Sequence, residues 1–329
     1  MDTVRWGIIG VGDVTEAKSG PGFQRAAGSE LVAVMRRSPG MAQDYAARHG
    51  VPRWYSDADA LIHDPEVDAV YVATPPDSHA DYAIRVARAG KPVYVEKPMA
   101  RTAAECRAMI DASASAHAPL FVAYYRRAMP RFVQAAEVAH ADLGELRTVT
   151  VRLRRPAAQD AALPWRLDPA VAGGGLFVDL ASHTLDWLDH ALGPLGDVHG
   201  VATHPLAGPG SAETSVAASF RIGDITGTGS WDFASDGVED LIEIGGTAGT
   251  LRLSSFGTEP LQLTRGATTT TIEAPYPDVV QQPLIQQIVD HLTGRGSTPV
   301  STGATALRTA TVVDTVLAGY RAEHGIRFV

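Results

Sequence analysis

Cysteine is all but missing: Cys106 is the only one in 329 residues, which excludes an intrachain disulfide and any thiolate cluster for zinc or iron–sulfur. A reducing, cytoplasmic location is therefore expected. Lysine is scarce as well. Of 28 basic residues only Lys18, Lys91 and Lys97 are lysine and the other 25 are arginine. Arginine thus serves the ordinary cationic positions, and a surviving lysine marks a place where an amine that can lose its proton has a use. No run of about 18 apolar residues occurs, and the opening MDTVRWGIIG lacks the basic and long apolar regions of a signal peptide. Neither membrane association nor export is expected. Basic charge is outweighed, 28 Lys+Arg against 37 Asp+Glu for a net charge of -9, the wrong sign for a surface that neutralises a phosphate backbone. No nucleic-acid partner is expected. What is present is a 45% hydrophobic, 20% charged composition, that of a folded globular chain, and a length beyond the ~250–300 residues at which one core stops growing, so two domains are expected.

The first third alternates short apolar runs with segments of helical spacing. VRWGII (4–9), LVAVM (31–35), AVYVAT (69–74), PVYVE (92–96) and LFVAY (120–124) are rich in β-branched and aromatic residues and bounded by turn residues; they read as buried parallel strands. Helical spacing fills 41–49, 58–63, 78–89 and 102–115. This alternation predicts a Rossmann-type α/β domain with a doubly wound parallel sheet over residues 1–124. Beyond it the order changes to a helix over 131–140, a strand over 146–155 and a helix over 176–192, then alternating segments VHGVATH, TSVAASFRI, ITGTGSWDF, DLIEIGG and GTLRLSS. Short Gly or Asp turns between them predict an α+β domain over 125–329 with a large, mostly antiparallel sheet. TTTT at 268–271 reads as a further strand, and helices over 279–292 and 303–323 close the chain.

After the first strand comes GVGDVT, with Gly10 for a tight turn and Gly12 where backbone can approach a pyrophosphate. A lone Gly-x-Gly is a weak signal, but one that follows a strand and opens a βαβ unit predicts dinucleotide binding through Gly10, Gly12, Asp13 and Val14. Thr15 stands where a third small residue is usual and is expected to loosen the packing of the helix on the sheet. An acidic residue at the end of the second strand would hold an adenosine 2'-hydroxyl; Arg36, Arg37 and Ser38 stand there instead, and two guanidinium groups with a hydroxyl suit a 2'-phosphate. NADP(H) is therefore expected in preference to NAD(H), which stays possible.

The fifth strand ends YVEKPMA, so Glu96 and Lys97 should emerge at the carboxyl edge of the sheet, where open α/β sheets place ligands. In the second domain GGGLFVDLASHTLDWLDH spaces Asp179 and His183 four apart, and Asp186 and His190 extend the stripe. Such a stripe admits a solvent face, metal ligation, or acid/base chemistry in which a carboxylate fixes an imidazole beside a substrate hydroxyl. No metal-ligand spacing accompanies it, and no metal is expected. Arg126, Arg127 and Arg131 could bind a substrate carboxylate or phosphate, but surface arginines are so common in this chain that they are not taken as site residues.

GIIGVGDVT, AVYVATPPDSHADYA, AGKPVYVEKPMA, WRLDPAVAGGGLFVDLASHTLD and SWDF followed by IEIGGTAGTLRL occur in the order found in the glucose-fructose oxidoreductase, inositol dehydrogenase and MocA family. The chain resembles that family over essentially its whole length, and the combination of Glu-Lys-Pro with Gly-Gly-Gly-x-x-x-Asp-x-x-x-His is specific. The resemblance implies an NAD(P)-dependent oxidoreductase acting on a sugar, sugar derivative or cyclitol. It implies that Lys97 hydrogen-bonds the substrate oxygen and that His183, beside Asp179, moves its proton. By the same resemblance Thr74, Pro75, Pro76 and His79 line the nicotinamide side of the cofactor, with Glu96 adjoining, and Trp165 and Arg166 border the substrate pocket. Tyr125 stands where many members carry asparagine, which leaves the substrate open. The family also contains non-catalytic dinucleotide-binding regulators, the alternative reading, and a metal-dependent lyase or hydrolase is a third. Alternating apolar residues in TSVAASF and GTGSWDF, with no helix nearby in sequence to cover them, and the family resemblance together imply a homodimer or homotetramer through the second-domain sheet.

Overall fold

A computed structural model describes residues 2–156, 164–204 and 210–328. The trace divides into two units, Met1–Met129 with Asp278–Leu307 and Pro130–Pro277 with Arg308–Val329.

In the first unit six strands, β1 (Val4–Ile9), β2 (Ser29–Met35), β3 (Arg53–Tyr55), β4 (Ala69–Val72), β5 (Val93–Val95) and β6 (Leu120–Val122), lie in the order β3-β2-β1-β4-β5-β6, and every pairing is parallel. β4, β5 and β6 are buried along their whole length, which is why they read as continuous apolar runs rather than alternating ones. Helices Pro39–His49, Ala58–Ile62, His79–Arg88 and Ala103–Ser115 connect them. Chain order reverses at β1, which sits between β2 and β4; the crevice beyond the carboxyl ends of β1 and β4 is thus the switch point of a doubly wound sheet. Three elements escaped the sequence reading. β3 is a three-residue edge strand, partly exposed, too short to carry a periodic signal. Helices Asp13–Ala17 and Gly20–Arg25 are likewise shorter than a periodicity can declare.

The expected single boundary at residue 124 differs from this division. The chain returns to the first unit, where helix Gln282–Leu292 buries Leu284, Ile285, Ile288 and Val289. The absence of a side chain at Gly22 makes room for Ile285, whose Cδ1 lies 2.7 Å from where a Cβ would stand. Ser301 Oγ donates to the Val122 carbonyl at 2.7 Å, and Thr302 bridges Phe121. An apolar helix face does not declare which sheet it will cover, so sequence periodicity could not place this segment.

The second unit holds an eight-stranded sheet of β7 (Leu146–Arg154), β8 (Gly196–Thr203), β9 (Ser215–Ile222), β10 (Ile225–Asp232), β11 (Glu239–Gly246), β12 (Thr250–Leu253), β13 (Leu261–Arg265) and β14 (Thr268–Ile272), in the order β14-β13-β12-β11-β7-β10-β9-β8. All pairings are antiparallel except β7 with β10. Helices Pro130–Asp142 and Ser182–Leu192 and the terminal helix Gly303–Glu323 from Arg308 onward belong here. Val216, Phe220, Ile222 and Trp231 form the buried rows of β9 and β10, and Trp231 meets Phe177 with ring centroids 5.0 Å apart. The apolar residues of these strands are therefore covered within the unit and do not by themselves call for a second copy. The outward rows carry Ala217, Ser219, Thr226, Thr228 and Ser230, all exposed.

Truncating Ile285 to alanine is expected to cost about 3 kcal/mol, as for other fully buried aliphatic side chains. Hydrogen exchange should show the loss first in the first-unit helix Gly20–Arg25. Deprotection confined to the eight-stranded sheet would contradict this assignment of the returning segment.

Candidate active site

Three loops leave the carboxyl edge of the parallel sheet, after β1, β4 and β5, and are tied together. Gly10 has φ +95, and a Cβ there would stand 2.6 Å from Thr74 Cγ2 and 2.9 Å from the Thr74 nitrogen, so only glycine fits the turn. Gly12 is extended, and nothing lies within 4 Å of where its Cβ would point, which leaves its Cα side open to a ligand. Thr15 does not loosen this turn. It is fully buried, its Oγ accepts from Gly12 N–H at 2.9 Å and donates to the Gly12 carbonyl at 2.8 Å, and its own carbonyl accepts from Tyr45 Oη at 2.9 Å. Asp13 and Val14 then supply first-turn N–H groups that the helix cannot satisfy itself, the donor set a pyrophosphate requires. Beyond β2, Arg36 is half-buried and Arg37 and Ser38 are exposed.

His79 ties the second loop to the third. It is fully buried, with Nε2 2.6 Å from the Thr74 carbonyl and Nδ1 3.0 Å from the Pro98 carbonyl. Burial pulls its pKa below the ordinary histidine value, against the two carbonyls, which favour the imidazolium. Its ring sits between the backbones of the two loops and ties them together. Thr74 and Pro75 are half-buried and Pro76 buried, and Ser78 Oγ donates to Thr74 Oγ1 at 2.8 Å and to the Pro75 carbonyl at 3.0 Å.

Glu96 is buried too. Its Oε1 accepts from the Tyr71 hydroxyl and from Gln281 Nε2 at 2.6 Å, while Oε2 accepts from Lys97 N–H at 3.0 Å. Gln281, fully buried, accepts in turn from Tyr94 Oη at 2.8 Å. Burial, with the Glu96 charge added, pushes both phenols well above the usual tyrosine range. Glu96 is thus a buried anchor, and Lys97, which follows it, is half-buried. Gln281 escaped the sequence reading because it lies 185 residues from Glu96 and carries no local signal.

In the second unit Asp179 lies on a π-turn, Phe177–Ala181, that runs into helix Ser182–Leu192; the sequence reading had one uninterrupted helix. A π-turn inserts one residue per turn and is frequent at functional sites. Asp179 faces Arg166 Nε at 3.6 Å, and that guanidinium lies 5.5 Å from the Trp165 ring centroid. His183, buried, meets the edge of Phe256 at 6.0 Å between ring centroids. Asp240, which carried no sequence signal, holds the turn that presents Phe256: its carboxylate accepts from the N–H groups of Ser255, Phe256 and Gly257 at 2.8, 2.6 and 3.1 Å.

The four-residue polar stripe does not form one site. Asp186 is buried and accepts from Thr309 Oγ1 at 3.0 Å, whereas His190 is exposed. Tyr125 is buried in a turn of the first unit, with the Arg126 guanidinium 5.7 Å from its ring centroid. Arg126, Arg127 and Arg131 are buried, not surface cations. Arg131 donates to the carbonyls of Ala274 and Glu259 at 2.9 and 2.6 Å, a structural cross-brace.

Residues 4–124 match the family described as an oxidoreductase family with an NAD-binding Rossmann fold, and residues 134–252 match the Gfo/Idh/MocA C-terminal domain. Over 311 residues the chain is 32% identical to oxidoreductase P35 of Formosa agariphila, covering 93% of this chain and 96% of that one. It is 33% identical over 194 residues to inositol 2-dehydrogenase of Rhizobium meliloti, a match to 58% of this chain and little more than half, 56%, of that relative. The crystal structure of an aldose-aldose oxidoreductase from Caulobacter crescentus, complexed with glycerol, superimposes with a TM-score of 0.85 at 26% identity, covering 98% of both chains.

The two glycines should separate in a stability measurement. Gly10→Ala forces a side chain into a positive-φ turn and is expected to cost about 1–3 kcal/mol, whereas Gly12→Ala is expected to stay within about 0.5 kcal/mol of wild type. Equal urea midpoints for the two variants would contradict the close approach of Gly10 to Thr74.

Proposed function

We propose that this chain, which belongs to the Gfo/Idh/MocA oxidoreductase family, transfers a hydride between NADP(H) and a hydroxyl or carbonyl carbon of a sugar, sugar derivative or cyclitol. The observation that carries the reading is the convergence of the Gly10–Val14 turn, the Thr74–Pro76 loop and the Glu96–Pro98 loop on one edge of the parallel sheet, joined by Gly10 against Thr74 and by the His79 clamp. Bound nicotinamide would supply or accept the hydride. Gly12, with its open Cα side, and the first-turn N–H groups of Asp13 and Val14 suit the pyrophosphate. Arg36, Arg37 and Ser38 suit a 2'-phosphate, since all three stand at least partly exposed beyond β2 and offer two guanidinium groups and a hydroxyl.

The chemistry left to the protein is proton movement and stabilisation of charge on the substrate oxygen. Lys97, projecting from a loop whose neighbouring carboxylate is locked in the core, would donate to that oxygen. His183 would take the hydroxyl proton during oxidation and return it during reduction, with Asp179 beside it on the preceding turn. Trp165 and Arg166 would border the substrate, the arginine being held near Asp179. The names of the relatives support the substrate class: inositol 2-dehydrogenase and an aldose-aldose oxidoreductase act on polyhydroxylated molecules.

Self-association through the large sheet belongs to the same reading. The outward rows of β9 and β10 carry mostly small side chains, with Arg221 at the end of β9, a surface against which a second copy could lie. Sedimentation at micromolar concentration is expected to give a dimer or tetramer, and a monomer of 34.7 kDa would remove this part.

Calorimetric titration is expected to show NADPH binding about tenfold or more tighter than NADH, the size of one charge-assisted contact, and Arg36→Glu should reverse the order. Equal wild-type affinities would remove the NADP preference. Lys97→Met and His183→Ala are each expected to lower kcat about 10²–10⁴-fold with NADPH affinity retained. Full turnover in both would refute the assigned roles. NADPH binding by a wild type that turns over no sugar or cyclitol would favour a nucleotide-sensing protein.

A further inference from the structure

Two of the three glycines at 173–175, ahead of the turn that bears Asp179, lie against a buried acid. Glu213 is 2% exposed, and its Oε1 accepts from Gly175 N–H at 2.8 Å. A Cβ on Gly174 would stand 3.2 Å from both carboxylate oxygens, and one on Gly175 would stand 2.8 Å from the Glu213 carbonyl and 3.3 Å from Oε1. The carboxylate thus lies close against Gly174 and Gly175, where Val178 Cγ2, which would meet a Cβ on Gly174, and Ala212 Cβ, 3.0 Å from one on Gly175, also leave no room for a side chain. N–H groups of Val178 and of Glu213 itself also face it, so the acid meets the main chain at the start of the π-turn Phe177–Ala181. From the other side Arg321, on the terminal helix, donates through Nη2 to the Gly173 carbonyl at 2.7 Å and through Nη1 to Asp314 at 2.6 Å. The turn is gripped at its first residue by a buried guanidinium and at its last by a buried carboxylate.

We infer that Glu213 is a positioning residue, which with Arg321 fixes the Gly173–Gly175 turn and thereby the placement of Asp179 and His183. The inference rests on the roles proposed for those two residues. Asp179 lies four positions beyond Gly175 on a continuous run of helical turn, so a shift at Gly175 N–H is carried directly to its carboxylate and, one further turn on, to the His183 ring. A packing role would be served as well by an amide or an apolar side chain of the same size, and more cheaply. Burial raises the Glu213 pKa to about 7, against the Gly175 and Val178 N–H groups and the Arg321 charge, which favour the carboxylate. Of the ionisable groups facing it, Arg321 is a permanent cation, and Tyr320, whose hydroxyl donates to the Ser211 carbonyl at 3.0 Å, has its own pKa raised by burial and then by the Glu213 charge. In the unfolded chain the acid titrates near its ordinary 4.5. Between that value and about 7 the folded state holds more protons than the unfolded one, so the contribution of this group to stability is full below the lower pKa and is lost as pH rises through the upper. As pH rises past about 7 the protein thus comes to carry a buried charge at a cost in stability.

Glu213→Gln is the discriminating variant because it keeps the shape and the bond to Gly175 N–H but turns an NH₂ group toward a main-chain donor. It cannot titrate, so its melting temperature relative to wild type should rise by several degrees between pH 5 and pH 8. Over the same range kcat is expected to fall by up to about 10²-fold, the effect of a small misplacement of a reacting group, with NADPH affinity unchanged. Glu213→Asp, which is charged but one methylene short, should not restore kcat. The His183 ring resonances, identified by their loss in His183→Asn and followed by long-range ¹H–¹⁵N correlation, should move in Glu213→Gln. Unmoved His183 resonances overturn the inference whether or not the enzyme turns over. An active wild type with unchanged kcat in Glu213→Gln overturns it as well. A wild type without turnover defeats the oxidoreductase reading alone, since the His183 resonances still report on placement.

Discussion

The parallel sheet of the first unit depends on one close approach, the passage of Gly10 against Thr74 at the point where strand order reverses. Two neighbouring parallel strands deliver their loops to the same edge, and the absence of a side chain at Gly10 lets those loops touch. His79 extends the contact to the loop after β5 by setting one ring nitrogen against each of two main-chain carbonyls. Loop backbone that would otherwise move independently is thereby tied to the rigid sheet, which is what a site needs if its groups are to be held in place before a ligand arrives.

Both units anchor their chemistry with buried polar groups rather than with apolar packing alone. Glu96 is held by Tyr71 and Gln281, Asp240 by three main-chain N–H groups, and Arg131 by two carbonyls. Such groups are costly to bury and tolerable only when partnered. Their return is directional: a hydrogen-bonded side chain fixes an orientation that a hydrophobic contact leaves free. Their placement, next to Lys97, beside the Phe256 contact of His183, and under the chain that leads to β13, is where orientation matters most.

Much of the architecture was legible. β1 runs over the predicted Val4–Ile9, helix Gly303–Glu323 agrees at both ends, and the mostly antiparallel character of the second sheet follows from its alternating strands and short turns. What was not legible shares a cause. β3 and the helices Asp13–Ala17 and Gly20–Arg25 are too short for a periodicity to register. The π-turn at Phe177–Ala181 leaves no compositional mark. The apolar residues of β9 and β10 suggested an uncovered face because a partner such as Phe177, which meets Trp231, lies in a different element well back along the chain.

The sequence by itself determined the βαβ alternation, the Gly-x-Gly turn, the Glu-Lys-Pro loop at the end of a buried strand, and the four-residue spacing of Asp179 and His183, because each rests on residues within a turn or two of one another. Only the tertiary structure decided that residues 278–307 return to the first unit, that Gln281 holds Glu96, that Asp240 holds the turn bearing Phe256, and that Glu213 lies against Gly174 and Gly175. Those relations join positions tens to hundreds of residues apart. Their physical basis is the desolvation of polar groups that must find partners once buried, and burial is a property of the folded chain that no local pattern encodes.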